Sequence, residues 1–176
     1  MISAACHPLY SMLADSEVRP RRMFTVTGRC FRHEPAADPM RMQAFRMREY
    51  VAVGTESEVA ELADRWSDAL PQMFTELGLD VTTELANDPF FGRTRLMLAA
   101  MQRTLEQKVE FVNQVHPGQD PTAIASVNRP GTHFGDLFAI TADGQPAHTV
   151  CVAFGIERIA VALLAHKGFE GGRIRD

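Results

Sequence analysis

The chain has 176 residues, of which 45% are hydrophobic and 23% charged, so it is long enough to bury a core and has the composition of a soluble globular domain. No apolar run approaches the roughly 20 residues that a membrane-spanning helix needs, and the N-terminus lacks the pattern of a signal peptide. Three cysteines without close spacing favour a reducing cytoplasm over a disulfide framework.

The net charge of −4 is unevenly distributed along the chain. Residues 1–50 carry eight arginines against five acidic residues, whereas the remainder is acidic. Guanidinium groups bind phosphate oxygens in a bidentate way, so the arginine-rich segment suits a phosphate ligand, although solvated surface arginines are the more common explanation. The acidic remainder argues against wrapping a long nucleic acid.

The first predicted elements are two strands joined by a loop. Alternating apolar residues over 23–34 and 43–53 predict strands, and two prolines within 34–40 predict the loop. We expect these strands to form an antiparallel pair.

Two helices are predicted next. A capping box of Thr55 and Glu58 begins a helix that Pro71 should bend and Gly78 should end, and residues 92–106 make a second helix. The expected buried face of the first helix consists of Val59, Leu62, Trp66, Leu70, Met73 and Leu77.

Short strands and one helix complete the chain. The apolar patterns predict strands over 108–115, 122–127, 133–140 and 145–153. A periodic apolar face over 156–164, followed by Gly168, predicts the last helix. This order suggests an α+β fold in one domain over 1–176, an antiparallel sheet with flanking helices on one side.

Two groups of residues could carry chemistry. Arg32 and Glu34 lie two apart on a strand and therefore share a face, where they could hold a phosphate and an amino group, and Phe45 could stack on a flat ring. Arg158 follows Gly155 in the first turn of a helix, where free backbone N–H groups favour an anion. Taken singly, Arg32 and Glu34 are more simply interpreted as an exposed ion pair on a strand, and Arg158 as a surface arginine.

Together, however, the two groups resemble known motifs. GRCFRHE followed by AFRMREYV resembles motif 2 of the class II aminoacyl-tRNA synthetases, and AFGIERIAVALL resembles motif 3. The segments SAACHPLY, NDPFFGR, KVEF, THFGDLF and GQPAHTVCVAFGIER narrow the resemblance to the amino acid:[carrier protein] ligases, which are homologues of the atypical, zinc-containing seryl-tRNA synthetases. The similarity runs across nearly the whole chain and implies the catalytic core of a class II synthetase.

The resemblance implies a nucleotide site. In that family, residues at these motif positions bind ATP, so Arg32 is expected to bind the α-phosphate and Arg158 the γ-phosphate. Glu34 is expected to contact adenine, and Phe45 to stack on it.

The resemblance also implies a Zn²⁺ site with an open position for the substrate amino group. Its ligands would be Cys6, Glu49 and Cys151, although scattered thiols are by themselves more often core residues. Cys30 is expected to be structural. Glu110 and Asn128 are candidates beside the ATP–Mg²⁺ site and the amino acid pocket. Synthetase relatives often carry an acidic metal ligand just before a serine-rich strand. No such ligand is evident at residues 123–126.

The implied activity is adenylation of a small amino acid such as glycine or alanine, followed by transfer to the phosphopantetheine thiol of a carrier protein, and the chain is expected to be cytoplasmic. Full-length relatives carry about a hundred further N-terminal residues, including motif 1 of the dimer interface. The chain is therefore expected to be shortened, and a homodimer and full activity depend on that region. The alternatives are a small-molecule acceptor, a non-catalytic module that binds adenylate or carrier protein, and tRNA aminoacylation, which the acidic balance disfavours.

Overall fold

A six-stranded antiparallel sheet forms the centre of the computed structural model, which describes residues 2–32, 37–86, 108–170 and 173–174. Its strands are β1 (Arg22–Phe31), β2 (Ala44–Gly54), β3 (Thr82–Leu85), β4 (Lys108–Asn113), β5 (Thr122–Gly131) and β8 (His148–Gly155). They lie in the order β1-β2-β8-β5-β4-β3, and each neighbouring pair is antiparallel.

Helices and short strand pairs complete the described ranges. The helices are α1 (His7–Met12), α2 (Glu56–Glu76), α3 (His133–Phe138) and α4 (Ile156–Lys167). The short strands are β6 (Thr141–Ala142), β7 (Gln145–Pro146), β9 (Phe169–Glu170) and β10 (Arg173–Ile174). No helix in these ranges combines the length and the apolar character needed to cross a membrane.

The sheet divides the core into two layers, as neighbouring residues of β2 show. Because side chains alternate along a strand, Ala52 faces one side of the sheet, whereas Val51 and Val53 face the other. The fold class predicted from the sequence is confirmed. The predicted strand over 43–53 corresponds to β2, and its pairing with the strand before it is antiparallel, as expected.

Helices α2 and α4 cover one face of the sheet, here called the back face. The capping box of α2 is present, since the backbone N–H of Thr55 donates to Glu58 Oε2 at 2.9 Å. Val59 and Leu70 are buried as predicted, but Leu77 is 40% exposed because it lies at the C-cap, where Phe74 fills the core instead. The helix continues through Pro71.

Helices α1 and α3 cover the opposite face, here called the front face, so the expectation of helices on one side only was wrong. The predicted strand over 133–140 was also wrong, because this segment begins with α3. Phe134 and Phe138 are four residues apart, a spacing that places them on one side of a helix, and both rings stack on Tyr10 of α1. The apolar pattern of the segment thus serves a helix rather than a strand.

Two sequence predictions fall outside the described residues. The predicted helix over 92–106 lies entirely there, and so do residues 34–36 of the proline-containing loop before β2, whereas residues 37–40 are described.

Gly135 allows α3 to lie directly on the chain before β8. A Cβ at this position would lie 2.7 Å from Ala147 N and closer still to Ala147 O, both of them backbone atoms. Gly135→Ala is therefore expected to lower the free energy of unfolding by about 2 kcal/mol or more in urea denaturation. Leu137→Ala, at a position that is 64% exposed on the same helix, is the control and should change it by less than about 1 kcal/mol.

Candidate active site

The front face holds a buried cluster of two thiols and a carboxylate. Glu49 lies on β2 and Cys151 on β8, the neighbouring strand, while Cys6 is the N-cap residue of α1. Glu49 is 0% exposed, and the two cysteines are each 5% exposed. The potential ligand atoms of the three residues all lie within 4.8 Å of one another.

Backbone hydrogen bonds hold the Glu49 carboxylate in this cluster. Ala5 N donates to Oε1 at 2.8 Å and Cys6 N donates to Oε2 at 2.9 Å. The Cys151 thiol also donates to Oε2, at 3.3 Å. The carboxylate therefore fixes the start of α1 on the sheet and sets the position of Cys6.

The surroundings of the Cys151 thiol favour its protonated form. Hydrogen bonding to Cys6, burial, and the negative charge of Cys6 and Glu49 together raise the pKa of the Cys151 thiol well above its usual range. Burial, followed by the charges of Cys6 and Cys151, raises the pKa of Tyr10 well above its usual range. A cation among the three ligands would reverse the preference and favour thiolates.

The donor set fits Zn²⁺. Two thiolates and one carboxylate are ligands that zinc accepts, and three protein ligands are typical of a site that keeps a fourth position open. Glu49 Oε1 accepts one backbone N–H and retains a second lone pair, whereas Oε2 also accepts the Cys151 thiol, a hydrogen bond that a thiolate would release. Cys30 lies outside this group; it is 0% exposed, and burial raises its pKa to about 11.

Two guanidinium groups lie over Phe45, which is further along the same face of β2. The Arg158 guanidinium lies 4.5 Å from the centre of the Phe45 ring, and the Arg32 guanidinium lies 5.8 Å from it. Arg158 is 9% exposed and Phe45 is 3% exposed, so this pair is buried. A flat ring could therefore reach Phe45 only by inserting beside a guanidinium.

Backbone carbonyl groups hold both arginines. Arg158 donates from Nε to Met40 O at 2.9 Å and from Nη1 to Ala123 O at 3.0 Å. Arg32 donates from Nη1 to Ser3 O, and its backbone N–H donates to Gln43 O at 2.8 Å across the hairpin. The guanidinium groups are thus oriented without a bound anion.

A polar group on β4 and β5 extends the same face. In the strand register, Lys108 is opposite Asn128 and Glu110 is opposite Ser126, while Asn128 is also opposite Cys151. Asn128 Nδ2 donates to Ser126 Oγ at 3.0 Å and to Cys151 O at 3.3 Å. Lys108 and Glu110 form an ion pair of 3.1 Å. Asn128 therefore adjoins the thiol cluster, and Glu110 lies one strand further away.

The structure places the predicted residues in two groups on one face. One group consists of Arg32, Phe45 and Arg158, and the other of Cys6, Glu49 and Cys151. Glu34 lies outside the described residues. Sequence reasoning missed Tyr10, whose hydroxyl interacts electrostatically with Cys6 and Cys151. The available signal was its position four residues after Cys6, one helical turn away.

Comparison with known families agrees with this fold. The profile of the tRNA synthetase class II core domain (G, H, P, S and T) matches residues 1–167. The chain therefore belongs to the class II tRNA synthetase core family. Its fold resembles that of the M. kandleri seryl-tRNA synthetase in complex with A. aeolicus tRNASec, with a TM-score of 0.77, 25% identity, and coverage of 96% of this chain and 35% of that one.

Within that family, carrier-protein ligases are similar to this chain. Amino acid–[acyl-carrier-protein] ligases 1 and 2 of Bradyrhizobium diazoefficiens are 40% and 41% identical to it over 168 residues, which cover 94% of this chain. The chain spans about half the length of these relatives, 52% and 50%. The type-2 serine–tRNA ligase of Methanothermobacter thermautotrophicus is 29% identical over 188 residues, covering 98% of this chain and 35% of that protein. The resemblance stated from the motifs is confirmed.

The Glu49 hydrogen bonds make a prediction that does not depend on metal. Glu49→Ala leaves two buried backbone N–H groups without their acceptor and should lower the free energy of unfolding by about 3 kcal/mol, measured by urea denaturation with a chelator present. Glu49→Gln keeps one acceptor oxygen and should lower it less. Equal stability of the Ala variant and the unmodified chain would contradict this account.

Proposed function

We propose that the chain activates a small amino acid, glycine or alanine, with ATP as the aminoacyl-adenylate and transfers the aminoacyl group to the phosphopantetheine thiol of a carrier protein. The observation that carries the proposal is that the two groups of residues share one sheet face: Phe45 and Glu49 lie four residues apart on β2, on the same side. The names of the two ligases that resemble the chain support the choice of acceptor.

The arginine–phenylalanine group is the proposed nucleotide half. Arg32 would bind the α-phosphate and Arg158 the γ-phosphate, because a guanidinium presents paired N–H donors that match phosphate oxygens. Arg158 lies at the N-terminus of α4, where the helix dipole also favours an anion. Adenine would insert beside Phe45, and Glu34 would contact its edge.

The thiol cluster is the proposed amino acid half. Cys6, Glu49 and Cys151 would hold Zn²⁺, which when bound supplies an open coordination position for a neutral amine and so selects an amino acid over a simple carboxylic acid. The hydrogen bonds from Ala5 and Cys6 to Glu49 would orient that ligand. Asn128, beside Cys151, is the proposed polar contact of the amino acid pocket.

The reaction needs positioning more than a protein nucleophile. The amino acid carboxylate attacks the α-phosphorus, and pyrophosphate leaves; the carrier thiol then attacks the adenylate carbonyl, and AMP leaves. Arg32 and Arg158 would stabilise the charge that develops on the phosphate oxygens, and Mg²⁺, when bound, supplies further charge neutralisation. Glu110 is the proposed acidic group on the Mg²⁺ side of this face.

The test of the proposal is amino-acid-dependent ATP–pyrophosphate exchange on the purified, zinc-loaded chain. Glycine or alanine should support exchange, and Arg158→Ala should slow it about 100-fold through lost phosphate contacts. Arg129→Ala is the matched control because Arg129 pairs with Asp64 of α2 and should leave the rate unchanged. Absence of exchange with every small amino acid would favour the non-catalytic binding module instead.

Zinc content gives an independent prediction. Cys6→Ala and Cys151→Ala should each lose the metal, whereas Cys30→Ala should retain about one zinc per chain, measured by inductively coupled plasma mass spectrometry after dialysis. Cys30 is equally buried and also a cysteine, so it controls for the loss of a core thiol. The same zinc content in all three variants would refute the assigned ligands.

A further inference from the structure

A carboxylate of α4 forms hydrogen bonds with the beginning of β2. Glu157 accepts two hydrogen bonds from Arg46: the backbone N–H donates to Oε2 at 2.7 Å, and the side-chain Nε donates to Oε1, also at 2.7 Å. The two residues are 111 positions apart in the sequence. Glu157 therefore holds both the backbone and the side chain of Arg46.

The carboxylate replaces a missing strand partner. The β2–β8 ladder ends at the pair Met47–Gly155, after which the chain turns into α4. Arg46 lies one residue beyond that pair, and its backbone N–H is bound by Glu157 instead of by a β8 carbonyl. The first turn of α4 therefore continues the attachment to β2 by one residue beyond the β2–β8 ladder. This residue lies where β2 approaches the proposed nucleotide half.

The Arg46–Glu157 contact lies beside the proposed nucleotide contacts. Phe45 precedes Arg46, and Arg158 follows Glu157, so the Phe45–Arg158 contact of 4.5 Å and the Arg46–Glu157 contact are adjacent links between the same two elements. Glu157 remains ionised because, although burial acts to raise its pKa, the hydrogen bonds from Arg46 outweigh burial and lower it. Its position in the first turn of α4 also suits a negative charge.

We propose that Glu157 is a positioning residue that sets the distance between Phe45 and Arg158 and thereby the preference of the site for ATP over AMP. The inference rests on the proposed function, in which adenine lies beside Phe45 and the γ-phosphate is bound by Arg158. AMP has the adenine but lacks the γ-phosphate. Loss of the Arg46–Glu157 contact therefore weakens ATP binding more than AMP binding, because only ATP must engage Phe45 and Arg158 at once.

The test compares dissociation constants for ATP and AMP by titration calorimetry. In Glu157→Ala, which removes both hydrogen bonds, the preference for ATP over AMP should fall about tenfold, which corresponds to roughly 1.4 kcal/mol of lost ATP binding. In Arg46→Ala the backbone hydrogen bond remains, so the preference should fall by a smaller factor. Arg158→Ala gives the value expected when the γ-phosphate contact is lost completely.

Asp64→Ala is the matched control. It breaks an ion pair of 2.8 Å between Arg129 and α2 without touching β2 or α4, and should leave the preference unchanged. Thermal unfolding of each variant shows whether it is folded, and Glu157→Gln, which keeps one acceptor oxygen, replaces the alanine variant if that variant does not fold. An intermediate preference in the glutamine variant supports the inference.

The outcomes separate the inference from the proposed function. An unchanged ATP preference in folded Glu157→Ala or Glu157→Gln overturns the positioning role while leaving the nucleotide site intact. A parallel loss of ATP and AMP binding also overturns it, since that result indicates only general damage. If the unmodified chain binds neither nucleotide, the proposed function itself fails.

Discussion

The buried carboxylate of Glu49 joins parts of the chain that the sequence keeps far apart. It lies in the middle of β2 and accepts the backbone N–H groups of Ala5 and Cys6, so it anchors the start of α1 to the front face. The Cys151 thiol of the neighbouring strand donates to the same carboxylate. A charge in a fully buried position is costly unless its hydrogen bonds are made, and here the backbone of α1 makes two of them. The front-face cluster depends on this arrangement.

Strand β2 organises both halves of the site. Because its side chains alternate, Phe45 and Glu49 face the same layer, while Tyr50 and Ala52 pack on the back face with α2. Its partner β8 adds Cys151 to the front face and then leads directly into α4, which supplies Arg158. One strand pair thus sets the spacing between the proposed amine site and the proposed phosphate site, and this rigid support suits a reaction that depends on orientation.

The arginine-rich segment supplies residues of the candidate site as well as residues with structural partners. The arginine-rich first fifty residues contribute Arg32 to the proposed nucleotide half and Arg46 to the contact with Glu157. Other arginines of the segment have structural partners: Arg48 donates to Thr27 Oγ1, and Arg21 donates to Glu58 O. An uneven charge distribution therefore marks the region of the candidate site, but it does not show which arginine faces the ligand.

The sequence by itself determined the alternation of β1 and β2, the capped start of α2, and the motif residues Arg32, Phe45 and Arg158. These features are local, since strand period, capping and motif spacing are all read within a few residues. The tertiary structure decided the rest. The segment of α3 became a helix because Phe134 and Phe138 pack on Tyr10, which no local pattern records. The resemblance implied Cys6, Glu49 and Cys151 as one group, but no local pattern shows that they converge or that Arg46 contacts Glu157. These residues are many tens of positions apart in the sequence, and only the tertiary structure brings them together.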